Sequence, residues 1–475
     1  MMDGPTRVFV ANGSPKGEYS LTLQHTLYML GQEDAVEWRI AHIGEALSPL
    51  AYDRDWLARV VEDIAWCDAI IWTTPVYTML VPWQLMRFFD LVRDLIGDMG
   101  KGQVFAGKYA TSMLTCFHYY DHLAEEWLRS TSEDLGMSFI EGRTADSEDM
   151  LKAEHRASMR FFMHEFLDAC RRKAPVERKS APLSGLPSPR FTPSMPQMAT
   201  GAVTPAPGNP VPRTVLLTDE YRQDGNLSAM IDVFIAAYPH PVEVVNINDF
   251  PYEAGCHGCL RCELVGECDR KDGFQQFYAD LVNTCDVLVF GMNTEGRYLK
   301  PVWKLFLDRS FANGHRTSMM GQHTCYLVAG RLRELPNVRQ FLEGKDQVGR
   351  ENSMGILSDE YEDCRQLEML LQELAGRLAR AVAANYQKSA NFLGLGGIKI
   401  FRDLIYSMRG VVRDDHRFYK ERGLYDFPQR NLSKQAFNVF MGAAFMFEPV
   451  RLQAFERMPA MYIQQHKRIV DSGEP

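Results

Sequence analysis

Short apolar runs recur along this chain, and between them lie stretches whose apolar residues return every three or four positions. The first run, Arg7-Val8-Phe9-Val10-Ala11, predicts a strand, and the stretch 21–30 after it predicts a helix. The pattern then predicts a strand near 36–40, a helix from about Trp56 and a strand at 69–72. A helix over 82–95, a strand over 109–114, a last strand at 139–140 and a long helix over 148–172 complete it. Brief apolar strands alternating with amphipathic helices are the mark of a parallel sheet covered on both faces.

The order then repeats. Strands are predicted at 215–217 and 242–247, and Cys285-Asp286-Val287-Leu288-Val289-Phe290 parallels Cys67-Asp68-Ala69-Ile70-Ile71-Trp72. Lys304-Leu305-Phe306-Leu307-Asp308 parallels Met86-Arg87-Phe88-Phe89-Asp90, and 321–327 parallels 107–113. This is an internal duplication in which the second copy has gained a cysteine-rich insertion. Between the copies, prolines crowd with Ser, Thr, Gly and Ala and show no apolar period, which reads as an extended linker. The expected organisation is a first domain over 1–173, a linker over 174–212, a second domain over 213–388 and a helical C-terminal extension over 389–475. The extension is expected to cover the second domain, with two helices from Ser433 and Glu448. Gly394, Gly396 and Gly397 follow no strand, so no dinucleotide loop is expected there.

Charge and composition narrow the function. The formal net charge of −9 over 475 residues excludes a broad phosphate-binding footprint, so no nucleic-acid partner is expected. The longest apolar run, 437–447, is too short to span a bilayer. No basic region followed by an apolar stretch opens the chain, and a cytoplasmic location is expected. In that reducing compartment the 10 cysteines are thiols or metal ligands rather than disulfides.

The chemistry concentrates where the first strand ends, in Asn12-Gly13-Ser14-Pro15-Lys16-Gly17-Glu18-Tyr19-Ser20-Leu21-Thr22. Ligands of open parallel sheets bind beyond the carboxyl ends of the strands. A loop there that runs into a helix offers free amides and a positive dipole end. Ser14, Ser20 and Thr22 add hydroxyls, Lys16 adds charge, and the glycines let the backbone curl around a phosphate. The alternative is a plain turn in which Ser20 caps the helix. Two more loops share that rim. Thr74-Pro75-Val76-Tyr77, with the residues up to Gln84, mixes apolar, aromatic and hydroxyl groups suited to a flat ring. Thr115 to His122 carries His118, Asp121 and His122. A phosphate grip beside a flat-ring pocket describes a mononucleotide with a tricyclic base.

These motifs resemble those of the flavodoxin-like, NADPH-dependent FMN reductase superfamily. Its first signature is matched by Asn12 to Thr22, and its second by Thr74-Pro75-Val76-Tyr77, Val81-Pro82-x-Gln84 and Phe88-x-Asp90. The resemblance implies an α/β fold of two tandem flavodoxin-like, doubly wound parallel sheets with a helical C-terminal extension. It implies FMN phosphate on Ser14, Lys16, Ser20 and Thr22, and the ring against Thr74, Pro75, Val76 and Tyr77. Leu21 stands where many relatives carry Asn, which removes one contact to the phosphate or ribityl chain. In the second copy the first loop holds Asp219, Glu220 and Asp224, which repel a phosphate, so its flavin site is expected to be lost.

The insertion reads Cys256-x2-Cys259-x2-Cys262-x5-Cys268. Repeated two-residue gaps suit adjacent corners of a [4Fe–4S] cubane. Structural zinc, which draws on separated pairs, and a loop without metal are the other readings. The spacing, with Lys271-Asp272 after it, resembles the compact motif of iron–sulfur flavoproteins, in which the cluster of one subunit faces the FMN of another. The expectation is a pseudo-dimer within one chain, with FMN in the first repeat and the cluster brought by the second.

The expected function is an FMN-dependent oxidoreductase that takes electrons from NAD(P)H or a protein donor and reduces a quinone, a nitro compound, another small acceptor or an electron-transfer partner. A His–Asp pair among His118, Asp121 and His122 would hold a proton at the ring edge; the alternative is that His118 and His122 only cap the strand end or satisfy a core contact. The alternatives are a non-enzymatic electron carrier and a metal-binding regulatory module. A homodimer is possible in this superfamily, whose flavin sites often complete themselves between subunits. No Gly-x-Ser-x-Gly elbow points to nucleophilic hydrolysis.

Overall fold

In the computed structural model, which describes residues 4–48, 52–194, 211–313 and 315–472, the apolar runs form the strands of two sheets. β1 (Thr6–Asn12), β2 (Val36–Ala41), β3 (Ala69–Pro75), β4 (Tyr109–Thr115) and β5 (Ser138–Phe139) pair in parallel in the order β2-β1-β3-β4-β5. β6 (Arg143–Ala145) continues the same edge of β4. In the second sheet β7 (Thr214–Thr218), β8 (Val242–Asn246), β9 (Val287–Glu295), β11 (His323–Ala329) and β12 (Asn352–Ser358) run β12-β11-β9-β7-β8, again in parallel. The short β10 (Tyr298–Leu299) turns back on β9. Both have the flavodoxin order, in which β1 and β3, or β7 and β9, flank the point where the winding reverses. Residues 8–11 of β1 and 215–217 of β7 are wholly buried, as strands covered on both faces require.

Two sequence expectations shift. The last strand of the first repeat comes in two pieces, β5 and β6, because its register on β4 slips by one residue between Phe139 opposite Ala110 and Arg143 opposite Met113. The long helix expected from 148 begins at Ala153. Before it, Asp146 accepts from the amides of Glu148 and Asp149 at 2.7 and 2.9 Å, which closes a turn, and Asp149–Leu151 forms a 3-10 helix. Cys67 and Cys285 stand two residues before their strands. Both are buried, each donating to the carbonyl three residues earlier.

The two repeats pack within one compact unit, residues 1–417. Helix Trp83–Asp98 lies against helix Pro301–Ser310, and helix Asp121–Asp134 against helix Pro336–Gly349. Arg297, 8% exposed, reaches across to Asp134 with two hydrogen bonds of 2.6 and 2.7 Å. Helix Phe392–Ser407 packs on Pro336–Gly349, with Gly394 against the backbone of Gln347. Residues 418–475 form a second unit, which holds helices Leu432–Ala444 and Glu448–Ser472. Leu432–Ala444 buries none of its residues.

Between the repeats, residues 174–194 form neither helix nor strand, and 195–210 of the expected linker lie outside the described residues. The linker's first residues bond to the first repeat, as the Ser180 amide does to Glu133, and residues 184–191 follow the carboxyl rim of the second sheet. The Phe191 amide donates to Asn226 Oδ1 at 2.9 Å, Asn226 Nδ2 donates to the Pro189 carbonyl at 2.8 Å, and Arg190 pairs with Asp224.

Candidate functional site

The first repeat's rim begins where β1 runs out. The Gly13 amide donates to the Thr73 carbonyl at 2.8 Å, so the loop springs from the crevice between β1 and β3. Asn12 Nδ2 closes the loop from inside by donating to the Gly17 carbonyl at 2.9 Å. Gly44 packs on the Gly13 carbonyl and the backbone of Ser14, so closely that a Cβ there would collide with both. Ser20 caps helix Leu21–Leu30 by accepting from the Leu23 amide at 3.2 Å, the plain-turn role. A hydroxyl that accepts still has its hydrogen to give, and the cap leaves the Leu21 and Thr22 amides to a ligand or solvent. Ser14 Oγ accepts from the Lys16 amide at 3.3 Å, and Thr22 Oγ1 lies 2.5 Å from Thr115 Oγ1. Lys16 is exposed. One feature opposes an anion: the exposed Glu45 carboxylate rests against Gly17.

The ring loop leaves β3 through Thr74, Pro75 and Val76, and the Val76 amide donates to the Thr115 carbonyl at 3.1 Å. It then reverses in two residues. Tyr77 and Leu80 exchange amide-to-carbonyl bonds of 2.7 and 3.0 Å, while Thr78 and Met79 both sit left-handed, at φ 44° and 66°. This is the pattern of a type I′ turn, which Asn-Gly fills without strain. A β-branched residue at positive φ is an outlier that costs of order 1–3 kcal/mol and must be held by its surroundings. Beyond the turn, Gln84 Nε2 donates to the Cys256 carbonyl at 3.0 Å. Gln84 Oε1 is buried and accepts from no donor among the described residues.

That bond joins the two repeats at their chemistry. The cysteine loop of the second repeat lies on the ring loop of the first. Gly258 has φ +65°, and a Cβ on it would strike the Tyr77 hydroxyl and stand 3.4 Å from Lys16 Cε. Arg309, almost wholly buried, anchors the base of the cysteine loop. It donates to the Ala254 carbonyl at 2.7 Å and to both oxygens of Asp272 at 2.6 Å. Burial first, and then Asp308, Cys262 and Cys268, push the Cys256 thiol up to about 12 against the bond from the Gly258 amide. Burial, Glu263, Cys268 and Cys259 raise Cys262 to about 12 as well. Such thiols are inert alone, and a bound metal is what deprotonates them. Among the described residues, the metal-ligating groups that approach within 4.8 Å of one another are His257, Cys259 and Asp269; His118, Asp146 and Asp149; and Glu263, His315 and Asp415. No three of the four cysteines form such a set. Ligands to a single ion must be that close, whereas a cubane's thiolates bind separate irons and stand farther apart.

The other candidates separate. His118 Nδ1 lies 3.2 Å from Asp121 Oδ2, so these two meet at the end of β4. His122 stands apart from that pair, its ring stacked on Tyr120 at 5.7 Å. In the second repeat, Asp219 sits where the phosphate loop would begin and accepts from the Asn293 amide and side chain at 3.2 and 2.8 Å. Burial raises its carboxyl to about 6. Glu220 pairs with Lys300 at 3.1 Å. Lys304, Asp308 and Arg309 were missing from the sequence-derived site. The signal for them lay in the duplication, which sets Lys304 opposite Met86.

Residues 6–143, which carry this rim, match the family model described as NADPH-dependent FMN reductase. The first repeat is similar to this family over those residues. The chain is also similar to an iron-sulfur flavoprotein of Clostridioides difficile (strain 630), 26% identical over 93 residues. That match covers 19% of this chain and 41% of the relative, so the chain spans about two-fifths of the curated relative's length. Among solved structures it is similar to an NADH:FMN oxidoreductase in its apo form, at 18% identity and a TM-score of 0.29, covering 34% of this chain and 89% of that one. A second is the flavoenzyme NAD(P)H:(acceptor) oxidoreductase FerB of Paracoccus denitrificans, at 19% identity and a TM-score of 0.29, covering 35% and 98%. The rim of the first repeat suits the cofactor of that family. A glycine-built loop leads into a helix N-terminus where Ser14, Ser20 and Thr22 carry hydroxyls, and the buried Gln84 Oε1, without a donor among the described residues, is free to accept from a ligand N–H. No helix of the described residues is long and apolar enough to cross a membrane.

Proposed function

We propose that this chain is an FMN-dependent NAD(P)H oxidoreductase whose first repeat holds the flavin and whose second lends it a [4Fe–4S] cluster. The observation that carries this reading is the seating of the cysteine loop on the ring loop, through Gln84 and Cys256, Tyr77 and Gly258. Bound FMN would exchange a pair of electrons with a nicotinamide and the cluster would pass them on singly, chemistry that belongs to the cofactors.

The protein's own residues bind and orient. Lys16 neutralises the phosphate, with Ser14, Ser20, Thr22 and the first amides of helix Leu21–Leu30 donating to its oxygens. Tyr77, part-buried between Gly258 and the ring loop, excludes water where the two loops touch. Asp121 engages His118 at Nδ1 and leaves Nε2, on an exposed ring, to hold or give a proton to a quinone, a nitro group or a protein partner.

Anaerobic purification with assay of flavin, iron and acid-labile sulfide per chain tests this. Lys16→Glu is expected to lose FMN and keep iron, and Cys259→Ser to do the reverse. A colourless zinc protein would refute both halves. A second reading, one ion on His257, Cys259 and Asp269, is favoured by their approach within 4.8 Å. It expects one metal ion per chain that survives Cys268→Ser.

A further inference from the structure

The strained ring loop is held by the other repeat. Helix Pro301–Ser310 presents Lys304 and Asp308 one turn apart, paired with each other and both 0% exposed. Lys304 Nζ also donates to the Tyr77 carbonyl at 2.8 Å, and Asp308 Oδ2 accepts from the Trp83 amide at 2.8 Å. Between these contacts Thr78 Oγ1 donates to the Leu307 carbonyl at 3.5 Å. One helical turn therefore grips both ends of the loop that carries Tyr77. The next residue, Arg309, anchors the cysteine loop.

The duplication supplies a control. Asp90 is the counterpart of Asp308, but the counterpart of Lys304 is Met86, and that of Trp83 is Pro301, which has no amide hydrogen. Asp90 Oδ2 accordingly is buried without a hydrogen bond among the described residues. Repeat two has no flavin-type loop to support, and the first repeat has not kept the grip that would support one. A buried ion pair is a poor source of stability, since apolar residues of like volume do as well. Its presence on one side only therefore needs another reason.

We infer that Lys304 and Asp308 are positioning residues for the flavin-ring loop of the other repeat, and that their helix fixes that loop relative to the cysteine loop. The inference rests on the proposed flavin site. Its test is FMN affinity of the full chain, read by flavin fluorescence, in the volume-conserving variant Lys304→Met with Asp308→Leu. Cooperative melting close to wild type, unchanged iron content and a Kd raised about tenfold or more are expected. Adding Thr78→Asn and Met79→Gly, whose turn forms unaided, is expected to restore most of the affinity. A loss through general destabilisation would not be rescued in this way. Should the double variant not fold, Asp308→Asn carries the same expectation at about threefold. Wild-type protein that binds no FMN would overturn the function proposed above. Wild-type binding with an unchanged Kd in the variant, or weakened binding that the turn substitutions leave unrescued, would overturn this inference alone.

Discussion

Asp90 offers a direct measure of what the asymmetry between the repeats costs. Its side chain is 18% exposed, and its nearest cations, Arg87 and Arg93, stand 4.0 and 3.9 Å away, at the limit of an ion pair. Burial, then the nearby Glu295, raises its carboxyl from 3.8 to about 6. A shift of about two units corresponds to about 3 kcal/mol, an upper figure because solvent reaches part of the group. The folded state holds this proton more tightly than the unfolded chain, so stability falls as pH rises from about 4 to about 6 and is level above. Asp90→Asn removes that slope. In urea melts the variant should match wild type at about pH 3.5 and exceed it by up to about 3 kcal/mol at about pH 7. An equal shift at both pH values, or a loss at neutral pH, would refute the account.

Three further outcomes follow from the same geometry. Glu45→Gln, which removes the carboxylate beside Gly17, should tighten FMN by about fivefold, or about 1 kcal/mol, in a fluorescence titration. Because Asp219 and Glu220 occupy the second rim and the linker runs along it, titration to saturation should give one FMN per chain. A second equivalent would show that rim to be open. Arg297→Ala breaks the cross-repeat pair with Asp134 and should cost about 2 kcal/mol in chemical denaturation, less than a fully buried pair because Asp134 also meets Arg178.

The sheets were legible because their central strands are unbroken apolar runs. Helix Leu21–Leu30 was placed to the residue, since Ser20 marks its start and Gly31 follows its end. β12 escaped because Asn352-Ser353-Met354-Gly355 carries no such run, and β6 because three residues hold no period. The four cysteines and the two flavin signatures were visible as motifs. Their meeting was expected only from resemblance, since no local pattern encodes contacts between residues 77 and 258. Lys304 and Asp308 were hidden for a different reason. A Lys–Asp pair one turn apart usually marks a solvated helix face, and here only the packing of the other repeat buries it.

Joining both halves by one backbone makes the encounter of ring loop and cysteine loop a unimolecular event. Dilution, which separates a two-chain assembly, leaves it intact, because the tether keeps each partner at a fixed effective concentration. Freed from having to be self-complementary, the two faces can each be altered alone, and a proline opposite Asp90 harms nothing opposite Asp308. A version cut within the linker and supplied as two polypeptides would show this directly, through an association of the halves that fades as they are thinned out.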